Sequence, residues 1–365
     1  MIIDYAHRIA ALRAITGVDA VAIVPGTNMQ YFTGLEFFLS ERPVVVIVTP
    51  DTFAVIVPQL EILKLEERSD LAAVAFAWND EEWYQGAFAR ALEDLGLVGK
   101  RLGIDGMTMR VTEGLTLTSL DPTLTLVPVE RSLIAVRAIK TAEENALQRK
   151  AIAISEAALA QLLTEVKPGM TERQIARRLN DLQIEGGADA IAFGTLIQTG
   201  PNASNPHGTT TDRVLQEGES LLIDYGCSVG GYGSDITRTF CIGVVPAELQ
   251  RIYDVVLAAN TAARQAAGPG VPMSAVDRAA REVITAAGYG PYFTHRTGHG
   301  LGLDGHEPIP QIAGNVDDLL QPGMTFTIEP GIYLPGFGGV RIEDDMLVTE
   351  TGAESMTSFR RTISV

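Results

Sequence analysis

The sequence predicts two domains, an α/β domain followed by a larger one in which long helices are interleaved with strands. Three observations carry this. The chain's 365 residues exceed what a single core usually serves. Its first third alternates short helical and strand patterns. From about residue 140 onward, long helices with capping signatures take over, and the strands among them hold polar residues in unexpected places.

In order along the chain, helical spacing marks residues 5–16, and residues 19–24 read as a strand. Strands at 44–48 and 53–57 flank the turn at Pro50-Asp51. Helical patterns follow at 60–67 and 81–95, with short apolar strands at 71–76 and 101–104. The pattern changes between residues 128 and 140. Thr141 with Glu144 forms a capping box opening a helix to Val166, which Pro168-Gly169 stops. Thr171 with Gln174 forms a second box, opening a helix to about Ile184. Two more helices are expected at 247–267 and 274–287. No internal repeat, low-complexity tract or long charge run is evident.

Composition narrows the class. At 46% hydrophobic and 20% charged, the chain has ample material for a core. No apolar run is long enough to span a bilayer. The opening Met1-Ile2-Ile3-Asp4 lacks the basic start and apolar stretch of a secretory signal. Cys227 and Cys241 are too few for a disulfide framework and read as small buried filler, so a cytoplasmic address is expected. A formal net charge of −17 argues against nucleic acid and anionic membrane as partners.

The polar residues in the strands point to a metal site. Leu221-Leu222-Ile223-Asp224 ends an apolar strand on a carboxylate, which is unfavourable to bury without a partner. A turn through Gly230-Gly231-Tyr232-Gly233 leads to an alternating strand that begins Ser234-Asp235. A hairpin centred there brings Asp224 near Asp235, and two such carboxylates repel unless a cation or proton intervenes. The arrangement recurs where Thr325-Phe326-Thr327-Ile328-Glu329 is followed by a Gly- and Pro-rich connection and then Val340-Arg341-Ile342-Glu343. That second hairpin sets Glu329 across from Glu343. His299 stands between two glycines that let another backbone or a ligand approach closely. Taken singly, each residue has a plain structural reading; all five together do not. Four carboxylates and one imidazole suit two divalent cations, with Mn²⁺ favoured and Co²⁺ or Zn²⁺ workable.

These motifs carry a family resemblance. Asp224 in IDYG, Asp235 in SDITRT, His299 in TGHGLGLDGHE, Glu329 in TIEPGIY and Glu343 in VRIEDD resemble the pita-bread metallopeptidases. That superfamily includes methionine aminopeptidase, aminopeptidase P and prolidase, and the match runs from about residue 140 to 360. The resemblance implies that Asp235 and Glu343 bridge both metals, Asp224 binds one, and His299 with Glu329 the other. It implies that His207 lies near the scissile peptide and that His306 helps hold the carbonyl or oxyanion. Glu329 is implied as general acid–base, and Arg341 as a residue orienting the ligand carboxylates.

A full α/β domain ahead of this core resembles the creatinase-like domain of aminopeptidase P and prolidase. The implied division is a creatinase/prolidase-like α/β domain over residues 1–130 and an α+β pita-bread catalytic domain over 131–365. The implied activity is hydrolysis of the Xaa-Pro bond, with proline-containing peptides as partners and a homodimer as the assembly. Prolidase action on dipeptides is preferred over aminopeptidase P action on longer peptides, and a non-catalytic peptide-binding module stands third. A dipeptidase must recognise the proline carboxylate. Arg42, in Ser40-Glu41-Arg42-Pro43, is one candidate, although a structural ion pair beside the proline turn is the plainer reading.

Overall fold

Strands Val45–Val48 and Phe53–Pro58 are buried at every position, not at alternate ones, so they must be covered on both faces. In the computed structural model, which describes residues 3–365, they lie inside a six-stranded mixed sheet. Met1 and Ile2, at the start of the stretch read for a leader, lie outside the described residues. The sheet runs Val74–Trp78, Phe53–Pro58, Val45–Val48, Ala20–Ile23, Arg101–Ile104, Thr125–Pro128. Its core packs Trp78, Phe88, Ile47 and Leu117 between sheet and helices. Each such side chain taken from water contributes about 1.5–3 kcal/mol. This unit ends at Arg137, and a second runs from Ala138 to Val365.

Several elements of the first unit depart from their sequence reading. Residues 60–67 split into a 3₁₀ turn, Gln59–Glu61, and a short helix, Ile62–Glu66. The strand expected at 71–76 runs Val74–Trp78. Helices Thr27–Thr33 and Val111–Leu120 have no counterpart in the sequence reading. Val111–Leu120 holds four β-branched residues and a glycine, and Thr27–Thr33 two threonines, an asparagine and two aromatics, all of low helix propensity. Burial of Met29, Tyr31 and Phe32 in one, and Leu117 in the other, overrides that preference.

The second unit follows its local signals closely. Both capping boxes form. Thr141 caps Ala142–Glu165 and Thr171 caps Glu172–Glu185, each with its reciprocal partner. Helices Ala247–Ala266 and Met273–Ala286 supply a second pair. Each pair covers an antiparallel array. Leu159, Leu162, Ile175 and Leu179 pack on Leu221, Ile223 and Phe240. Ile252, Val256, Val276 and Ala280 share a core with Phe326, Ile328 and Ile342. The architecture is therefore helix pair plus strands, twice over, although the sequence contains no matching repeat. Among the described residues no helix is long and apolar enough to cross a membrane.

Candidate metal centre

Two hairpins build the site. In the first, Ser220–Tyr225 pairs with Ile236–Cys241, and the same register continues through Cys227–Val229 and Tyr232–Gly233. Gly230 and Gly231 close it with positive φ at both positions (57° and 83°), the geometry a two-residue hairpin loop demands. Asp224 then sits opposite Thr237, and Asp235 lies two residues off on the same face. In the second hairpin, Ile328 pairs with Asp344 and Gly331 with Arg341 in one continuous register. Glu329 and Glu343 face each other in the break between those pairs.

His299 enters from the strand Gly298–Gly300. A Cβ at Gly298 would lie 1.8 Å from the Thr327 carbonyl oxygen, and one at Gly300 2.6 Å from that of Ile309, so the flanking glycines admit neighbouring backbone. His299 Nδ1 lies 3.0 Å from the Gly300 carbonyl, to which it donates. That leaves Nε2 as the free lone pair, 3.6 Å from both Asp235 Oδ2 and Glu329 Oε1.

Donor atoms fall into three overlapping triplets, each with its atoms within 4.8 Å of one another. They are Asp224–Asp235–Glu343, His299–Glu329–Glu343 and Asp235–His299–His306. The electrostatics are those of a site wanting positive charge. Burial and then Glu343 push the Asp235 carboxyl well above the ordinary range. The same two causes raise Glu329. Burial and Asp224 move Glu343 from 4.5 to about 7. Burial holds the His299 imidazole neutral, with its pKa down to about 3. Asp224 Oδ1 is buried with no hydrogen-bond partner among the described residues. Oxygen-rich donors, a neutral imidazole and an orphaned carboxylate oxygen together fit divalent cations.

A pH test follows from Glu343. Its carboxyl is raised on folding, so its contribution to metal-free stability is full below pH 4.5 and lost as pH rises through about 7. In metal-free protein, the melting temperature of Glu343→Gln relative to wild type should climb by several degrees across that window. Saturating divalent metal should reverse the order. A difference that stays flat with pH in thermal scans would place the repulsion elsewhere.

The cleft above these donors holds about 420 Å³ and is lined by all five, together with Phe193, His207, His295, Arg296, His306 and Arg341. His207 is exposed on the loop after residue 204. The rings of His306 and His299 stack at 3.8 Å. Arg341 is buried and donates to Asp224, to Thr237 Oγ1 at 3.0 Å and to the Tyr333 hydroxyl at 3.0 Å. Thr237 in turn donates to Glu343 Oε2 at 2.6 Å. Arg341 and Thr237 thereby orient one candidate donor carboxylate on each hairpin, Asp224 and Glu343.

Other supports escaped the sequence reading. Asn260 Nδ2 donates to the carbonyls of Ile328 and Ile342 at 3.1 and 3.2 Å, pinning both strands beside Glu329 and Glu343. Asp277 accepts from the amide and hydroxyl of Thr297, holding the approach to His299. An Asn or Asp on an apolar helix face was the one available signal. Arg42 lies in the first unit, where Asp80 binds its guanidinium at 3.0 and 2.8 Å and Glu41 adds a further contact. Both cysteines are buried thiols, with Cys227 against Ser155.

Residues 146–350 match metallopeptidase family M24, and residues 8–139 match the creatinase/prolidase N-terminal domain. The Xaa-Pro dipeptidase of Pyrococcus furiosus is 35% identical over 344 residues, covering 94% of each chain. The crystal structure of a prolidase from Thermococcus sibiricus superposes with a TM-score of 0.93 at 34% identity over 100% of both chains. A dipeptidase from Pyrococcus horikoshii gives 0.91 at 37% identity over 99% of both. The chain belongs to metallopeptidase family M24, with a creatinase/prolidase N-terminal domain preceding the peptidase domain and a pita-bread arrangement of the donors described above.

Proposed function

We infer that the chain is a prolidase, a two-metal dipeptidase that hydrolyses the Xaa-Pro bond of dipeptides. The observation that carries this reading is the convergence of Asp224, Asp235, His299, Glu329 and Glu343 at the floor of one small cleft. Residues 131–365 would hold the whole apparatus and residues 1–130 none of the ligands. Following the family resemblance, Asp235 and Glu343 would serve both ions, Asp224 one of them and His299 with Glu329 the other, and all five donors lie in overlapping triplets. When bound, the two ions would supply Lewis acidity to the scissile carbonyl and lower the pKa of the attacking water.

The chain's own residues then move the proton and hold the charge. Arg296 has donors only, so His306 Nδ1, 3.3 Å from its guanidinium, must accept. The neutral ring therefore carries its proton on Nε2, ready to donate to the developing oxyanion. Glu329 takes the proton of the attacking water. The prolyl nitrogen leaves as an amine only once it is protonated, and Glu329 returns the proton there as the C–N bond breaks. His207, on the exposed rim, supplies a second polar contact to the substrate peptide.

Manganese as the resident metal follows from the oxygen-rich donor set, with Co²⁺ or Zn²⁺ as substitutes. A homodimer and a cytoplasmic address complete the proposal. Dipeptidase action rests on the names of the similar proteins, an Xaa-Pro dipeptidase and a prolidase. A second reading, aminopeptidase P action on longer peptides, draws on a groove that continues past His295 and Arg296. To decide, metal-free protein is reloaded with Mn²⁺ and offered an Xaa-Pro dipeptide beside an Xaa-Pro-Yaa tripeptide. Metal-dependent release of the first residue from the dipeptide is the expected result. Preference for the tripeptide selects the second reading, and cleavage of neither with Mn²⁺, Co²⁺ or Zn²⁺ leaves a peptide-binding module.

A further inference from the structure

Two arginines line the metal-site cleft, and they differ in what holds them. Arg341 is buried, and its guanidinium is taken up by Asp224, Thr237 and Tyr333. Arg296 is half-buried, and among the described residues its guanidinium has one hydrogen-bond partner, His306 Nδ1 at 3.3 Å. No ion pair joins it to a carboxylate among the described residues. A guanidinium drawn partly out of water without a hydrogen-bonded carboxylate keeps donors open to an incoming anion. Arg281, in the adjoining groove, is already spent on Asp277 and on the carbonyls of Phe293 and His295. Arg42 is spent on Asp80 and Glu41. Of these four arginines, Arg296 alone presents uncommitted donors to the cleft.

Its position suits one anion. His306 is the donor to the scissile carbonyl, so Arg296 lies one imidazole away from that carbonyl. In an Xaa-Pro dipeptide the free carboxylate lies one residue beyond the scissile carbonyl, at most about 3.3–3.6 Å further along the chain. We propose that Arg296 binds the α-carboxylate of the substrate's proline and so makes the enzyme prefer dipeptides. A guanidinium has five N–H donors in a planar fork. One serves His306, and the rest can take a carboxylate through paired charge-assisted bonds. The same side chain would thus fix the tautomer of the oxyanion donor and sense the end of the substrate. This inference rests on the Xaa-Pro reading above.

The test uses the full chain loaded with Mn²⁺ and two substrates differing at one group, leucyl-proline and leucyl-prolinamide. Wild type should prefer the acid. Arg296→Ala should lower kcat/KM for leucyl-proline by about 10- to 100-fold, mainly through KM, the range expected for losing a charged hydrogen-bonded pair. Its kcat/KM for the amide should fall far less than that for the acid, since the amide loses only the ordering of His306 and no charged pair. Arg296→Lys should recover part of the loss on the acid. A residue that merely held His306 would lower kcat on acid and amide alike, and that result would overturn the inference while leaving the peptidase reading intact. Wild-type preference for the amide would do the same. Wild-type inactivity toward both substrates would remove the peptidase reading and the inference with it.

Discussion

Asp235→Ala should reduce hydrolysis of an Xaa-Pro dipeptide by at least about a thousandfold, because a metal pair supplies several kcal/mol of transition-state stabilisation at 1.36 kcal/mol per decade. It should also lower bound divalent metal below two ions per chain, read by elemental analysis after dialysis. Asp235 is singled out by geometry. Its carboxylate takes part in two of the three donor triplets, and the side chain is almost wholly enclosed. Its own amide donates to Asp345 Oδ2 at 3.2 Å, which holds the backbone where the strand resumes. Loss of this one oxygen pair therefore touches both proposed ion positions. Loss of a surface acid such as Glu354 should touch neither. A variant that kept two tightly bound ions and wild-type turnover would show that Asp235 is a buried acid and no ligand.

What could be read from the sequence was whatever the chain states locally. A carboxylate ending an apolar strand is anomalous within six residues of itself, so Asp224 and Glu329 announced themselves. The Gly230-Gly231 turn then set the register that brings Asp235 to the same face as Asp224. Capping boxes at Thr141 and Thr171 are likewise three-residue signals, and both helices start where those signals stand. What escaped was non-local. Asn260 acts on carbonyls 68 and 82 residues away, and Thr237 on a glutamate 106 residues away. No spacing within one helix or strand encodes such a partner. Helix Thr27–Thr33 escaped for the opposite reason, since its local preference is against helix and only burial of its apolar side chains decides the outcome.

Arg42 and Arg296 make the same point within one residue type. Beside a proline turn, Arg42 was as plausible in sequence as any other arginine, and its pairing with Asp80 is 38 residues distant. Arg296 stands three residues before His299 and still drew no notice, because its distinguishing property is what it does not touch. Availability of a charged group is a property of the folded neighbourhood, legible only once every competing carboxylate has a position.

The last expected result concerns the loop that carries His207, and it shows how far from the donors a requirement can lie. Glu172, the first residue of the helix Glu172–Glu185, is fully buried. One oxygen accepts from the amide and hydroxyl of Thr199 at 2.7 and 3.0 Å. The other accepts from the amide and hydroxyl of Thr211 at 2.8 and 2.7 Å. Asn202 Nδ2 spans both oxygens at 3.0 and 2.9 Å. Thr199 and Thr211 bracket the loop, so this carboxylate ties its two ends and its middle to one point. Glu172→Gln keeps the shape but turns one acceptor into a donor that must face donors. Each buried donor left unmade costs about 1–3 kcal/mol, so the variant should lose about 2–4 kcal/mol of stability, most of it local. Hydrogen exchange should report it as lost protection at the amides of Thr199 and Thr211, with the amide of Asp235 unchanged. Activity should fall by about tenfold or more through misplacement of His207, and His207→Ala should then cost little in the Glu172→Gln background, since the two act through one contact. If the two losses multiply instead, the carboxylate supports the fold without steering the histidine, and His207 owes its place to the rest of the loop.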